Sequence, residues 1–313
     1  MSRLESLRAG VDPVLTEISQ GYSNPAFVGT KILPIVKVAK KSGKYIKFGR
    51  DNFFVPDDSI IRGIRAGTQT RYPVDISTGT FNCLRYSIKD GADDAELEEA
   101  QEIFDLEQDI VRGIQETIKL KLEYQIATVL QDTSTYTHSN HRTLTATEKW
   151  DDPSGADYDP IGDIQEAKSA VRNLIGRYPN SCILGISAYE SLVKSPEILD
   201  RIKYSQAGVV TTEILAAVLD IPNIYVGMGV YTSGTGESFS DIWGDNVVLA
   251  YAPENPRSVR VPAFGYTFEV AGYPVTTRWY DEDTTTNWFR NEDYYDFKVT
   301  FDGAGFLIKD VNS

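Results

Sequence analysis

The stretch "DDAELEEAQEIFDLEQDIVRGIQETIKLKLEYQIATVLQD", from Asp93 to Asp132, carries the most sustained pattern in this sequence. It contains no proline and a single glycine, Gly113, and its apolar residues recur three or four positions apart. That spacing is typical of one buried stripe along an α-helix. Acidic residues concentrate at its start and lysines lie in its later half, an order that suits the helix macrodipole. The sequence therefore predicts one continuous helix here, about 55 Å long, against which a sheet packs.

Segments on the N-terminal side of this helix have the patterns of β-strands. "KILPIVKV" (Lys31–Val38) is apolar and β-branched, while "KYIKFGR" (Lys44–Arg50) and "FNCLRYSIKD" (Phe81–Asp90) alternate apolar with polar residues. The last two predict a two-stranded arm with a long excursion between its strands. Residues 1–27 are interrupted by glycine and proline, as in "SQGYSNPAFVG", and predict an extended N-terminal arm.

The excursion "FFVPDDSIIRGIRAGTQTRYPVD", from Phe53 to Asp75, is far too long for a hairpin turn and has no period of a core-forming element. It combines apolar residues and arginines that an isolated subunit is expected to hide, namely Phe53, Phe54, Ile60, Ile61, Arg62, Ile64, Arg65 and Arg71. The segment therefore needs a partner surface.

The chain after the long helix divides into an α/β part and an all-β part. From about residue 155 to 254, helix and strand patterns alternate, and the first helix has Asp159 as N-cap, Pro160 at its first position and Gly176 at its end. From about residue 255 onward the segments alternate as strands, with a turn predicted at Asp302-Gly303.

Composition narrows the classes of function. The chain has 313 residues, is 41% hydrophobic and carries a net charge of −14, which disfavours a protein that coats nucleic acid by neutralising phosphates. Cys83 and Cys182 are far apart without metal-type spacing, so both are expected to be reduced and buried. No apolar run is long enough for a membrane span, and "MSRLESLRAG" is unlike a secretory signal, so we expect folding in the cytoplasm.

The histidines and the glycine-rich segment give weak signals for chemistry. His138 and His141, in "HSNH", could supply two metal ligands, but an exposed Ser/Thr/Asn-rich loop is the favoured interpretation. "SGTGES" (Ser233–Ser238) lacks the Lys-Ser/Thr of a phosphate-binding loop, and a turn between strands is favoured.

The acidic stretch "DEDTTTNWFRNEDYYD", from Asp281 to Asp296, could bind a hard cation or supply paired acids. It lacks the spacing of a calcium loop, and Trp288, Phe289 and Arg290 within it are residue types that anchor protein interfaces. The sequence therefore predicts an interface here. It predicts no catalytic residues, no cofactor and no metal site.

The order of these parts resembles the major capsid proteins of tailed bacteriophages, which have the Hong-Kong-97-type fold. "VDPVLTEISQGYSNPAFVGTKILPIVKVAKKSGKYIKFGRDNF" is similar to the opening of one branch of that family, and "NWFRNEDYYDFKVTFDGAGFLIKD" to its closing segment. The resemblance implies an α+β fold with an N-terminal arm (1–30), a strand plus E-loop hairpin arm (31–90), a spine helix and P-domain (91–154), an A-domain (155–254) and P-domain strands with the P-loop (255–313).

The resemblance also implies a function. The chain would be a virion protein that assembles through hexamers and pentamers into an icosahedral shell around phage DNA, without sequence-specific DNA binding or a membrane. Portal, scaffolding or decoration proteins are the implied partners; no fused helical scaffold is visible at the N-terminus. The implied assembly interface comprises Phe53, Phe54, Ile60, Ile61, Arg62, Ile64, Arg65, Arg71, Trp288, Phe289 and Arg290. Some relatives crosslink Lys to Asn, and Lys44, Lys47 and Asn291 match such residues by location alone.

Two other functions remain open from the sequence. An encapsulin-type bacterial compartment would share the fold but enclose protein cargo. A carbohydrate-active hydrolase, built on the Asp-rich C-terminal region, would instead be a monomer or small oligomer with a concave cleft lined by carboxylates.

Overall fold

The computed structural model describes residues 11–47, 64, 67, 77–100, 105–202, 210–232, 234, 238–253 and 263–313. Within these ranges the α-helices are α1 (Pro13–Gly21), α2 (Gly29–Ile32), α3 (Asp94–Ala100), α4 (Leu106–Leu130), α5 (Pro160–Ile175), α6 (Ile186–Lys194), α7 (Pro196–Ile202) and α8 (Thr212–Leu219). The strands are β1 (Ile35–Val38), β2 (Ser42–Ile46), β3 (Thr78–Asn82), β4 (Leu84–Asp93), β5 (His141–Thr143), β6 (Ser181–Gly185), β7 (Asn223–Gly227), β8 (Val230–Tyr231), β9 (Ser240–Asp241), β10 (Val247–Ala250), β11 (Gly265–Val270), β12 (Val275–Asp281), β13 (Thr286–Val299) and β14 (Gly305–Lys309).

The strands form two five-stranded sheets and two small hairpins. In the first sheet, here called the β13 sheet, the order is β1-β11-β13-β12, and β4 pairs with the other side of β13. In the second, the β10 sheet, the order is β5-β14-β10-β6-β7. β2 pairs with β3, and β8 pairs with β9. The part of the chain that the structure describes contains no helix with the length and apolar character needed to cross a membrane.

The long helix predicted over Asp93–Asp132 is interrupted, so the prediction of one continuous helix is wrong. β4 extends through Asp93, a short helix α3 follows, and α4 begins after Asp105, whose backbone is extended. The Asp105 carboxylate accepts a hydrogen bond from the Gln108 amide at 3.2 Å, the geometry of a helix N-cap. A strong capping residue inside the pattern therefore starts a new helix of 25 residues.

The apolar stripe of α4 is buried as predicted. Val111, Ile114, Ile118, Leu122, Ile126 and Leu130 are all at most 3% exposed, and they share one core with residues of both sheets. The helix packs against β4 and β13, which confirms its role as the support of a sheet.

A buried carboxylate on α4 joins three separate parts of the chain. Glu123 is 1% exposed, and its Oε1 accepts hydrogen bonds from the amides of Val28 (2.9 Å) and Gly29 (3.0 Å) and from Nε1 of Trp243 (2.7 Å). A Cβ at Gly29 would lie 2.8 Å from Glu123 Oε2, so the approach requires glycine. Burial raises the pKa of Glu123, an effect that these three hydrogen bonds only partly oppose.

The N-terminal segment is more regular than the predicted extended arm. α1 begins after Asp12, whose Oδ1 accepts hydrogen bonds from the amides of Val14 (2.9 Å) and Leu15 (3.1 Å), and Pro13 occupies the first position. Leu15 and Ser19 are buried. The Asp-Pro start signal therefore forms a helix, and the glycine and proline that suggested an extended chain lie at its end and beyond it.

The α/β part confirms several local predictions. Asp159 accepts a hydrogen bond from the Gly162 amide at 2.6 Å, Pro160 opens α5, and Gly176 ends it with φ 70°. β6 is buried at every position.

The C-terminal strand departs from the sequence interpretation, which grouped it with residues 255–313. β14 lies in the β10 sheet, between β10 and β5. The turn predicted at Asp302-Gly303 is a 3₁₀ turn, Asp302–Ala304, that carries the chain from one sheet to the other and does not close a hairpin.

Substitution of Glu123 tests the buried connection. Glu123→Ala leaves the Val28, Gly29 and Trp243 donors without their acceptor, and we expect it to lower the free energy of unfolding by at least about 3 kcal/mol. Chemical denaturation of the unassembled subunit measures this loss. Glu116→Ala, at an exposed site on the same helix, serves as the matched control. Equal losses of unfolding free energy in the two variants would show that the hydrogen bonds to Glu123 do not stabilise the subunit.

Candidate assembly interface

The base of the predicted arm is a pair of antiparallel strands that packs against the β13 sheet of the same subunit. β2 and β3 pair antiparallel from Ser42↔Asn82 to Ile46↔Thr78, so the arm has two strands. Its second strand is Thr78–Asn82, and most of the predicted strand Phe81–Asp90 instead belongs to β4, which pairs with β13. Phe81 stacks on Phe268 of β11 with ring centroids 4.4 Å apart. A small core surrounds this pair, and its buried members are Phe81, Cys83, Phe268, Val270 and Tyr294. The root of the arm is thus fixed to the β13 sheet.

The residues expected at the far end of the arm are described at two positions. Ile64 is 100% exposed, and Gly67 is exposed as well. The other predicted contact residues lie outside the described ranges; they are Phe53, Phe54, Ile60, Ile61, Arg62, Arg65 and Arg71.

The outer face of the β13 sheet carries a layer of aromatic and cationic side chains, here called the Trp–cation face: Lys89, Trp279, Trp288 and Arg290. Trp279 and Trp288 stack with centroids 6.4 Å apart, and Lys89 Nζ lies 3.9 Å above the Trp288 ring. The Arg290 guanidinium lies 5.6 Å from the Trp279 ring and pairs with Glu292 at 2.9 Å. Trp279 is still 37% exposed. Tryptophan and arginine in this arrangement are typical of protein interfaces.

Two members of this face were not found by sequence reasoning. Trp279 lies directly opposite Trp288 across the β12–β13 pair, a contact that a hairpin centred on Thr284 could have indicated. Lys89 reaches Trp288 because β4 pairs with β13 at Lys89↔Arg290, and no local signal specifies that long-range register.

Phe289 does not belong to the predicted interface set. Successive residues of a strand point to opposite faces, so Phe289 points inward when Trp288 and Arg290 point outward. Its side chain is 0% exposed and lies in the same core as Ile114 of α4. Phe289 therefore stabilises the subunit itself, and its assignment to a contact surface is wrong.

Asn291 is also on the inner face, which removes it as an accessible crosslinking residue. It is 0% exposed, and its Nδ2 donates to Gln115 Oε1 at 2.7 Å and also contacts the hydroxyl of Ser19. Lys44 and Lys47 are exposed. The side-chain amide of Asn291 is therefore buried, whereas Lys44 and Lys47 lie at the surface.

His138 binds a carboxylate and is not part of a metal cluster in the described chain. His138 Nδ1 lies 3.0 Å from Asp302, and the same carboxylate accepts hydrogen bonds from the Thr137 amide (2.6 Å) and hydroxyl (2.8 Å). Burial raises the pKa of Asp302, but the hydrogen bonds from His138 and Thr137 outweigh it and lower the pKa overall. His141 is exposed on β5. No group of three or more His, Cys, Asp or Glu residues within the described ranges could hold a metal ion.

The carboxylates between Asp281 and Asp296 point in different directions. Asp293 is 0% exposed and lies 3.5 Å from Lys119 on the inner face, where burial raises its pKa. Asp296 accepts from the Asn82 amide at 2.9 Å and pairs with Lys298 at 3.2 Å. Because these carboxylates do not meet, the arrangement favours an interface over a pair of catalytic acids for residues 281–296. Of Ser233–Ser238, the structure describes Gly234 and Ser238.

Comparison with known proteins identifies the family. The family described as phage major capsid protein E matches residues 88–263. The chain belongs to this family. The major capsid protein of Burkholderia phage BcepMu is 36% identical over the full length of both chains. A crystal structure of a phage-related protein from Bordetella bronchiseptica RB50 is 27% identical, with a TM-score of 0.79 over 96% of this chain and 97% of that one.

The capsid protein therefore has the predicted α+β, Hong-Kong-97-type fold, and it is a structural component of a virion. An encapsulin complex from Synechococcus elongatus PCC 7942 is 10% identical with a TM-score of 0.56, covering 92% of this chain and 88% of that one. At that identity the likeness concerns the fold alone, which capsid and encapsulin shells share.

The two faces of β13 predict unequal losses of stability for substitutions in the capsid protein. Phe289→Ala removes a buried ring and should lower the free energy of unfolding by about 3–5 kcal/mol. Trp288→Ala removes a half-exposed stack and a cation–π contact, worth about 1–2 kcal/mol together. Chemical denaturation of both unassembled variants measures the difference. A larger loss for Trp288→Ala would overturn the assignment of faces.

The Asp302 carboxylate predicts a pH-dependent contribution to stability. Because its pKa is lowered in the folded state, its stabilisation is present above its ordinary value of 3.8 and is lost as pH falls through the folded value. Asp302→Asn should therefore cost about 1–3 kcal/mol near pH 7 and progressively less below about pH 4. Denaturation at several pH values measures this, with Asp200→Asn, at an exposed site, as control. A loss of unfolding free energy in Asp302→Asn that does not change with pH would contradict this role of the Asp302 carboxylate.

Proposed function

We propose that the capsid protein assembles through hexamers and pentamers into an icosahedral shell around phage DNA, and that its arm lies on a neighbouring subunit. The observation that carries the arm assignment is Ile64, whose side chain is 100% exposed beyond a hairpin anchored to its own chain. An anchored root with an exposed apolar end is the arrangement expected of a segment that is buried by another copy.

The proposed contact surface contains Phe53, Phe54, Ile60, Ile61, Arg62, Ile64, Arg65, Arg71, Trp288 and Arg290, without Phe289. Burying an isoleucine or phenylalanine side chain contributes about 1.5–3 kcal/mol before the cost of association. Several such residues are therefore sufficient for a stable contact, and the arginines set its register by pairing with acidic surface.

The acidity of the chain suits a container for DNA. A net charge of −14 repels phosphates, so DNA packed inside the shell can move without adhering to the wall. Portal, scaffolding or decoration proteins are the further partners that we propose, with assembly in the host cytoplasm. We assign it no enzymatic activity and no cofactor.

Two alternatives are less well supported. An encapsulin-type compartment shares the fold, but the family match and the full-length relative are both phage capsid proteins. DNA recovered from purified, nuclease-treated particles would favour the phage shell, whereas protein cargo without DNA would favour the compartment. A hydrolase would need its carboxylates in one cleft, and Asp293 and Asp296 lie on opposite faces of β13.

Substitution of the exposed isoleucines tests the arm. Ile60→Ser/Ile61→Ser/Ile64→Ser should leave the subunit folded, because Ile64 contributes no buried surface within its own chain. Shell assembly should fall strongly, because three buried apolar side chains are lost at every arm contact. Circular dichroism measures folding, and sedimentation velocity with negative-stain microscopy measures assembly.

The matched control replaces the same three isoleucines by valine, which keeps most of the apolar surface and should still assemble. Normal particles from the serine variant would refute the arm contact while leaving the shell function intact. A wild-type chain that stays monomeric under assembly conditions would refute the shell itself.

A further inference from the structure

The Trp–cation face and the residues beside it carry an excess of positive charge. Arg85 on β4 and Arg290 on β13 both contact one carboxylate, that of Glu292, which lies 2.9 Å from Arg290. Lys89 lies above the Trp288 ring and forms no ion pair within the described ranges. Three cations therefore share one carboxylate.

The single carboxylate is also less accessible than the arginines that it neutralises. The side chain of Glu292 is 14% exposed, against 51% for Arg85 and 39% for Arg290. A partner that approaches this face therefore meets positive charge together with the exposed edge of Trp279. Arginine and tryptophan side by side are the residue types that contribute most to binding at protein interfaces. The face fits an acidic protein surface.

The same sheet carries such an acidic surface at one of its ends. The surface is formed by the turn between β12 and β13 and by the junction of β4 with α3. Its carboxylates, together called the acidic tip, are Asp93, Asp94, Glu96, Glu98, Glu99, Asp281, Glu282 and Asp283. Residues 91–100 and 281–287 contain no lysine or arginine. Among the residues that the structure describes, no ion pair involves any of these eight carboxylates.

Hydrogen bonds hold the two segments of the acidic tip together. The Asp94 amide donates to the Thr285 carbonyl at 3.1 Å, and the Thr285 hydroxyl donates to the Asp93 carboxylate at 3.1 Å. Glu282 and Asp283, at the turn itself, are exposed. The acidic tip is thus a fixed projection of the sheet whose outermost carboxylates point into solvent.

The turn carboxylates do not reach the cations of their own subunit. Arg290 lies four residues beyond Thr286, about 13 Å along the strand. β12 and β13 stay paired up to Asp281↔Thr286, so the turn extends the sheet and does not fold back over its outer face. Glu282 and Asp283 are therefore available to the cations of another copy.

We propose that the Trp–cation face binds the acidic tip of a second copy of the capsid protein, with Glu282 and Asp283 pairing with its cations. The inference rests on the proposed shell function and names the partner surface that this face takes. The turn of the second copy covers the two tryptophans, and the exclusion of water strengthens the ion pairs at the contact. Complementary charge also fixes the register in which the two copies meet.

The contact joins two different surfaces of the same chain. Each copy therefore gives its acidic tip to one neighbour and receives the tip of another on its Trp–cation face. Head-to-tail contacts of this type close into rings or continue as open arrays. DNA is a less suitable occupant of the face, because its phosphates extend along the whole double helix and meet the net charge of −14 of the chain, whereas the turn is a narrow projection.

Reversal of charge tests the pairing in the full-length protein. Lys89→Glu places a carboxylate opposite the acidic tip, and Glu282→Lys/Asp283→Lys places ammonium groups opposite the Trp–cation face. Each variant should weaken association of subunits at least about tenfold, because like charges meet at the contact. The chain with all three substitutions again has opposite charges at the contact and should assemble. Sedimentation velocity measures assembly, and circular dichroism measures folding, which substitutions at these exposed sites should leave intact.

Lys194→Glu on α6 is the matched control for Lys89→Glu, because it makes the same change in net charge at another exposed site. It should assemble as the wild type does.

Carbodiimide crosslinking tests the contact without any substitution. The reagent joins a carboxylate to an amine that it touches, forming an amide while the reagent takes up the water that is lost. Assembled wild-type shells should therefore give a crosslink between Lys89 and Glu282 or Asp283. Shells made from equal amounts of ¹⁵N-labelled and unlabelled subunits show by mass spectrometry whether the crosslink joins two copies.

The possible results separate this contact from the shell function. Normal assembly of the Lys89→Glu and the Glu282→Lys/Asp283→Lys variants would overturn the contact and leave the shell intact. Failure of the triple variant to recover, or crosslinks confined to single copies, would also overturn it. A wild-type chain that does not assemble would refute the shell and this contact with it. If the wild-type subunit binds double-stranded DNA, and Lys89→Glu abolishes that binding without affecting assembly, the face belongs to a phosphate backbone and the proposal is wrong.

Discussion

The carboxylate of Glu123 is the interaction on which the arrangement of this subunit depends most. Its Oε1 receives the amides of Val28 and Gly29 from the N-terminal segment and the indole of Trp243 from the α/β part, while its own backbone belongs to α4. A carboxyl group buried in this way is costly unless its oxygens are hydrogen-bonded, so the arrangement of the three parts that supplies these donors is favoured. Apolar packing along α4 supplies the stability, and Glu123 specifies the alignment.

The long strand β13 packs into the core of the subunit with one face and presents side chains for contact with the other. Its inner residues, such as Phe289 and Asn291, are fully buried and connect the sheet to α4 and α1. Its outer residues, such as Trp288 and Arg290, keep aromatic and cationic surface available. Because the two sets alternate along one backbone, the rigid inner face fixes the positions of the outer side chains. A contact surface built on such a strand is more accurately positioned than one on a loop.

Local signals in the sequence predicted local structure well. Asp159, Pro160 and Gly176 delimit α5 as their capping chemistry requires, and the apolar stripe of α4 faces the core. The break before α4 was missed because the apolar spacing continues across Asp105, and a cap competes with a continuous helix only through its own side-chain hydrogen bond. Phe289 was assigned to the interface together with Trp288 and Arg290, although successive residues of a strand such as β13 point to opposite faces. Membership in the capsid family was predicted from the order of parts, which tolerates such local errors.

The position of β14 has a consequence for the synthesis of the chain. Residues 305–309 lie between β10 and β5, so β5 has no neighbouring strand in the β10 sheet until these residues have left the ribosome. A polypeptide interrupted before residue 305 therefore lacks one strand of this sheet and cannot complete the core that the sheet shares with α4.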